Sequence, residues 1–213
     1  MSKITNKLYR GFLDSGLIEI ISEEHLKQAL LNVNGIRGKH REEGRALLLT
    51  LYYTGCRPIE ALRLKAKSIE KKAGYIIINM PAAKRGLARP IYLSNKNPLV
   101  NEIYAYSCKL MPEMVLFYHY RSTYQRQRKL KRGGTKEATE MTDKLRYFFK
   151  AWFRGVIDIS PYYLRHNRFS KLSIAGASAD EIRQIKGSKT YDSITPYLHL
   201  SSKAAKNIAK KIE

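Results

Sequence analysis

Between Gly74 and Leu93 the apolar residues change period. Before Leu64 and after Pro98 they recur at helical spacing, whereas Gly74-Tyr-Ile-Ile-Ile-Asn79 and Pro90-Ile-Tyr-Leu93 read as two short strands. Pro81 to Arg89 forms a basic hairpin connection between them. Helices, a small sheet and helices again exclude an all-β chain and a regular alternation of strand and helix. The expected class is α+β, mostly α-helical with a small antiparallel sheet. On the leading side, Ser22 caps a helix from about Glu23 to Val33, with Leu26, Ala29, Leu30 and Val33 on one face and Asn34-Gly35 at its end. A second helix, about Glu42 to Tyr53, is largely buried around Ala46 to Leu51 and stops at Thr54-Gly55. A short helix from Pro58 to Leu64 comes next. On the trailing side, helices are expected at Pro98 to Leu110, Thr142 to Val156, Pro161 to Ala175, Ala179 to Lys186 and Ser202 to Ile212. Residues 1 to 21 fit no single pattern, and residues 36 to 41 are basic and turn-like.

The 213 residues carry 40 Lys and Arg against 18 Asp and Glu, a formal charge of +22. Self-repulsion on that scale destabilises a compact chain, and binding a polyanion is the usual compensation. Nucleic acid is therefore the first expectation. A lysine-rich background or an anionic membrane surface explains the charge less well, because no basic amphipathic helix dominates. Hydrophobic residues make up 44%, too many for a disordered basic tail. The longest apolar run, Ala46 to Tyr53, is far short of a membrane span, and no signal-peptide core comes after Met1. Two cysteines, Cys56 and Cys108, make neither a zinc pattern nor a disulfide framework, so the expected setting is cytoplasmic.

No Gly-rich phosphate loop precedes a helix, and the histidines and carboxylates never cluster at metal spacing. No cofactor or metal is expected. Phosphate chemistry in this chain would have to use its own cations. Three basic turns are candidates: Thr54-Gly55-Cys56-Arg57-Pro58-Ile59-Glu60-Ala61-Leu62, Tyr162-Tyr163-Leu164-Arg165-His166, and Lys84 in the hairpin connection, with Arg85 and Arg89 beside it. Glu60 lies one helical turn beyond Arg57, placed to orient its guanidinium. A further run, Tyr120 to Thr135, holds Arg126, Arg128, Lys129 and Arg132 and is either a solvated face or a DNA-contacting one.

In order, these segments resemble the tyrosine recombinases of the phage-integrase superfamily. Thr-Gly-Cys-Arg57-Pro-Ile-Glu60-Ala-Leu is similar to that family's first arginine box, and Leu164-Arg165-His166 to its second. The distal block Gly176, Ile182, Ile185-Lys-Gly187-Ser188 and Tyr197-Leu198-His199 is similar to the family's end, with Tyr197 nine residues after Ser188. The resemblance covers about residues 42 to 205 and suggests an integrase of a virus or plasmid, an archaeal one among the alternatives, since some integrases of archaeal mobile elements also replace the family's first His. Two positions depart from the family: Tyr162 stands in the usual first His slot, and Ser188 in the later His or Trp slot.

The resemblance implies a division of labour. Tyr197 would attack a DNA phosphate to give a 3′-phosphotyrosine, keeping the strand end attached until another 5′-hydroxyl displaces it. A free phenol is only about 0.1% ionised at pH 7, so nearby cations must stabilise the phenolate and the crowded phosphorane. Arg57 and Arg165 would clamp the phosphate, and Glu60 would orient Arg57. Lys84 would protonate the leaving 5′-oxygen, with Arg85 and Arg89 the alternatives in the same connection and themselves expected to contact DNA. Tyr162 either hydrogen-bonds the phosphate or packs, and Ser188 either donates in place of the family's ring nitrogen or caps the next turn. His166 and His199 are expected to be structural. The implied partner is a double-stranded DNA attachment site, bound by a monomer that assembles as a tetramer at synapsis, with no membrane.

Residues 1–40 are expected to be a short segment or linker and residues 41–213 the catalytic domain, with a tail helix at about 201–213. That helix packs on its own core or docks on a neighbouring protomer. The leading segment is too short for the separate DNA-clamping domain that family members usually carry. Two other readings stay open. One is a DNA-binding protein on this scaffold that has lost its chemistry. The other is a type IB topoisomerase-like or resolvase activity.

Overall fold

The computed structural model of the protein describes residues 21–35, 40–83, 86–122, 125–129, 135–139, 141–157 and 159–198, with the backbone alone at 125–129 and 135–139. Helix α1 spans Glu23–Asn34 and begins where the Ser22 hydroxyl accepts the His25 amide. Its buried stripe of Leu26, Ala29, Leu30 and Val33 joins the main core, so residues expected to form a leading segment are packed into the same body as the rest of that core. Helix α2, Arg41–Thr54, is the centre of that body. Leu47, Leu48, Leu49 and Leu51 are buried on several of its faces, because α1, the later helices and the sheet all pack around it.

The short α3, Pro58–Ala61, leads through a 3₁₀ turn at Ala66–Ser68 to the sheet. Strands β1 (Ile69–Lys72), β2 (Tyr75–Met80) and β3 (Arg89–Ser94) pair antiparallel in the order β1-β2-β3. Ile76, Ile78, Ile91 and Leu93 point into the core from alternate positions. Sequence periodicity missed β1. Its Glu70, Lys71 and Lys72 carry charge, as an outer strand tolerates, and its register is set by Ile69 opposite Ile78. Helix α4, Pro98–Ser107, capped by Asn97, covers the sheet beside α2. Strands β4 (Gln125–Lys129) and β5 (Thr135–Thr139) form a separate hairpin, so the basic run singled out in the sequence includes a strand paired to its own return. Arg132 and the connection between those strands lie outside the described residues.

Helices α5 (Asp143–Trp152), α6 (Pro161–Ile174) and α7 (Ala179–Lys186) complete the described fold. Phe149 and Trp152 from α5 enter the main core. Phe169 of α6, Ile182 of α7, Ile194 and Tyr197 make a second, smaller core. The expected tail helix at about 201–213 and His199 fall outside the described residues. Among the described residues, no helix is long and apolar enough to cross a membrane.

One buried carboxyl has less charge compensation than its burial demands. Glu43 on α2 accepts the His119 amide at 2.8 Å and lies 3.7 Å from His40, whose ring stacks on His119 at 3.6 Å. Burial pushes Glu43 up to about 7. The folded state thus holds this proton more tightly than an unfolded chain would. The resulting stability is complete below 4.5 and is lost as pH rises through about 7. Glu43→Gln removes the charge and keeps the acceptor. In denaturant melts it should be more stable than wild type at about pH 8, by up to ~3 kcal/mol, with the advantage vanishing near pH 4.

Candidate active site

The site is assembled around one carboxylate. Helix α2 ends at Thr54 because Gly55 turns left-handed, with φ 61°, and its amide closes on Leu51 O. Arg57 then stands extended before Pro58, which opens α3. One turn on, Glu60 is fully buried. Its Oε2 accepts the Arg57 amide at 2.8 Å and its Oε1 accepts Arg57 Nη1 at 2.8 Å. Arg89, from the start of β3, donates to the same carboxylate at 3.2 and 3.5 Å. Arg165, from α6, brings Nη1 to 4.0 Å of Oε2. Three guanidiniums from three parts of the chain therefore meet one acid. Burial pushes Glu60 up, but Arg89, Arg57 and Arg165 outweigh it and hold the carboxyl below its ordinary value.

Arg165 is fixed twice more, donating to Gly55 O at 2.7 Å and to Lys186 O at 2.9 Å. Burial, then Arg57, lower its pKa to about 10. Two of the three positive charges have no carboxylate of their own, and a bound anion would relieve that excess.

Arg89 differs from the sequence expectation. Sequence reasoning puts it with Arg85 on a DNA-facing connection, yet its side chain is only 7% exposed. Its Nε donates to Ile185 O at 2.6 Å and its Nη1 to Leu87 O at 3.1 Å. The cause is Glu60, which draws the guanidinium inward. Lys84 and Arg85 lie outside the described residues, but their flanks are placed. Gly86 N donates to Ala83 O, Leu87 N donates to Gly187 O, and a Cβ on Gly86 would meet Arg57 Nη1 at 2.9 Å. The flank of Gly86 and Leu87 is thereby docked beside Arg57 and on the end of α7.

Helix α6 presents Tyr162, Arg165, His166, Phe169 and Ser173 at near-helical spacing. Tyr197 belongs to the smaller core and is fully buried. Ser173 Oγ donates to its carbonyl at 2.6 Å, and its hydroxyl lies 2.6 Å from His166 Nδ1. Burial, then Lys186, push His166 down to about 4, so the ring is neutral at neutral pH. Burial raises the phenol well above its usual range, against the lowering effect of Arg165. The phenol is therefore the donor and Nδ1 the acceptor. Even from an ordinary phenol pKa of ~10, passing the proton to a ring at about 4 would cost ~8 kcal/mol. In this arrangement His166 keeps the phenol protonated. Phe169 touches both sides of the site: Arg165 lies 4.9 Å and Tyr197 5.8 Å from its ring centroid.

Ser188 and Tyr162 are not drawn in. Ser188 Oγ is engaged with Thr190 O at 3.0 Å and Ser193 Oγ at 2.7 Å, within its own turn. Tyr162 is half-buried, and its hydroxyl has no hydrogen-bond partner among the described residues. Arg126, Arg128 and Lys129 lie on β4, whose backbone pairs with β5. Sequence reasoning did not anticipate His166 as the partner of Tyr197, 31 residues away, or the burial of Lys186 beside it. No local pattern signals either contact.

The phage integrase family matches residues 19–204. Tyrosine recombinase XerC of Pelotomaculum thermopropionicum is 26% identical over 220 residues, covering 98% of this chain and 63% of the relative, so this chain spans less than two thirds of that protein. The structure of XerA recombinase superposes with a TM-score of 0.61 at 17% identity, covering 91% of this chain and 65% of the other. XerH recombinase bound to its difH substrate gives 0.55 at 19%, covering 89% and 53%. The catalytic domain of bacteriophage HP1 integrase gives 0.52 at 17%, covering 90% and 93%. At these identities the structural matches establish the fold.

Gly187 tests the packing of this cluster. It closes α7 at φ 66°, and an added Cβ would collide with the Arg89 guanidinium. Gly176 also has positive φ, at 92°, but faces open space. Gly176→Ala should therefore show the backbone cost alone, ~1 kcal/mol, whereas Gly187→Ala should cost ~2–4 kcal/mol in equilibrium melts. Equal losses would mean that Arg89 yields freely.

Proposed function

Because the chain belongs to the phage integrase family, we propose that it is a site-specific tyrosine recombinase that cuts and rejoins double-stranded DNA of a mobile element through a 3′-phosphotyrosine at Tyr197. What carries the reading is the convergence of Arg57, Arg89 and Arg165 on the buried Glu60, with Tyr197 held across Phe169 from Arg165.

Arg57 and Arg165 offer planar donors to the non-bridging oxygens of the scissile phosphate. Arg57 is the more open of the two, at 22% side-chain exposure against 6%. Glu60 and Arg89 are positioning residues, acting through Arg57 and Arg165. Tyr197 Oη forms the new bond to phosphorus, and the bond from phosphorus to the 5′-oxygen breaks. Lys84, in a connection whose flanks rest on Arg57 and Gly187, supplies the proton to that leaving oxygen. For attack, the phenol must leave His166 and come under the field of the arginines, which lowers its pKa where the phosphate lies, so that its proton passes to water as the bond to phosphorus forms. Neither metal nor nucleotide enters this scheme. Assembly on DNA as a tetramer, with the chain otherwise monomeric, is part of the same proposal.

A second reading, DNA binding on this scaffold without cleavage, is favoured by the full burial of Tyr197 and its bond to His166. A nicked suicide duplex carrying the element's own junction separates the two. Wild type should form a covalent adduct in excess EDTA, mapped to Tyr197, and Tyr197→Phe should form none while binding the duplex as before. Arg57→Ala and Arg165→Ala should each slow trapping by at least ~10²-fold. Binding without any adduct would support the second reading, and an adduct on another tyrosine would overturn these roles.

The charge of +22 makes a separate prediction. If about six phosphates are contacted, affinity for random duplex should fall roughly 10³-fold from about 50 to 200 mM salt. Replacing Arg126, Arg128, Lys129 and Arg132 together with Ser should make that salt dependence shallower. An unchanged slope would assign those residues to solvent.

A further inference from the structure

Lys186 lies in the distal block but has no role assigned in the site, yet it touches both halves of it. It is the last residue of α7 and is 6% exposed. Its main-chain oxygen accepts Arg165 Nη2 at 2.9 Å. Its ammonium donates to Ser193 O, and it lies 4.8 Å from the ring centroid of Tyr197 and 5.7 Å from that of Phe169. A cation over an aromatic face in a dry site attracts the ring more strongly than at an exposed one.

We propose that Lys186 is a positioning residue for Tyr197. Through its ammonium on the tyrosine ring and on Ser193 O, and its carbonyl on Arg165, it ties the tyrosine's resting place to the arginine cluster. The contact spans the turn that holds Ser188. That turn is closed at one end by Ser188 on Thr190 O and on Ser193, and at the other by Lys186 on Ser193 O. Position 188, where the family has a ring donor, is thereby used to shape the seat of the ammonium.

The charged groups around Lys186 are Arg57 from the α3 region, Arg165 and His166 from α6, Arg89 from β3 on the neighbouring Ile185 carbonyl, and the phenol of Tyr197. Burial, then Arg165 and Arg57, bring Lys186 down to about 7. The grip on the ring needs the ammonium. It is present below about 7 and fades as pH rises through that value, when the neutral amine keeps the link to Ser193 but loses the attraction to the ring. His166 titrates near 4 and Tyr197 well above neutrality, so neither produces a change in the same window.

The meaning of this role rests on Tyr197 being the nucleophile, but its test needs neither DNA nor cleavage. The protein would carry tyrosine isotopically labelled at the ring ε carbons. The Tyr197 resonance is assigned by its loss in Tyr197→Phe, and the intact chain is titrated across neutrality by NMR. In wild type the Tyr197 resonance should move in one step with a midpoint near 7. Lys186→Arg keeps the charge and should hold the resonance at its acid position throughout. Lys186→Met should abolish the step, with circular dichroism melts confirming the fold. Glu43 also titrates near 7 but is retained in both variants, so a step that survives them belongs to Glu43 and not to Lys186. A Tyr197 resonance that stays fixed across neutrality in wild type, or a step that persists in Lys186→Arg, would overturn the proposal. Wild type and Lys186→Arg decide the matter even if Lys186→Met does not fold.

Discussion

The structure depends on what one buried carboxylate does for three guanidiniums. Glu60 takes the Arg57 amide and side chain, Arg89 and, at longer range, Arg165. Three cations this close could not share a low-dielectric pocket without it. Their attraction to Glu60 brings the end of α2, the start of β3 and the middle of α6 together, elements that sequence separates by up to about a hundred residues. The cluster is undercompensated, with more positive charge than its acid can balance. A buried ion group of this composition contributes little net stability and is better understood as a fixed electrostatic surface kept ready for an anion.

Tyr197 is kept apart from that surface by apolar contact. Its ring belongs to a core of four residues with Phe169, Ile182 and Ile194, and its hydroxyl is satisfied by a neutral imidazole. The two sets meet at Phe169 and at Lys186. The fold thus holds a charged cluster and an uncharged phenol as neighbours, each locally content. The high phenol pKa, raised by burial, makes the resting tyrosine chemically inert.

Much of this is legible in the sequence. Ser22, Pro58, Pro98, Pro161 and Gly187 mark helix ends by cap chemistry that acts within a few residues, and the described helices and the β2–β3 pair lie within a few residues of where periodicity places them. Arg57, Glu60 and Arg165 stand out in the sequence, and they do meet. The features that sequence hides depend on distant partners. Strand β1 is charged and is a strand because β2 lies beside it. Arg89 reads as a surface cation because nothing nearby in sequence shows Glu60 waiting 29 residues upstream. Lys186 sits in a helix of low apolar content, and its burial is decided by Phe169 and Tyr197. His166 and Tyr197 are joined by the folding of α6 against the last turn, which no spacing rule encodes.

The membership of Tyr197 in a core has a thermodynamic consequence. A fully buried aromatic ring that leaves its seat gives up packing worth roughly 3–5 kcal/mol, less whatever contacts it finds outside. On the proposed role of Tyr197, the arrangement competent for attack is then a minor population of the free chain, on the order of one molecule in ten to one in seventy if half of that cost remains. Any ligand that requires it binds with its intrinsic affinity divided by that scarcity. About 1.5–2.5 kcal/mol of the contact energy of a DNA partner would then register as tyrosine released rather than as tighter binding. Two DNA sequences held with equal affinity could therefore differ widely in how often the phenol reaches the phosphate.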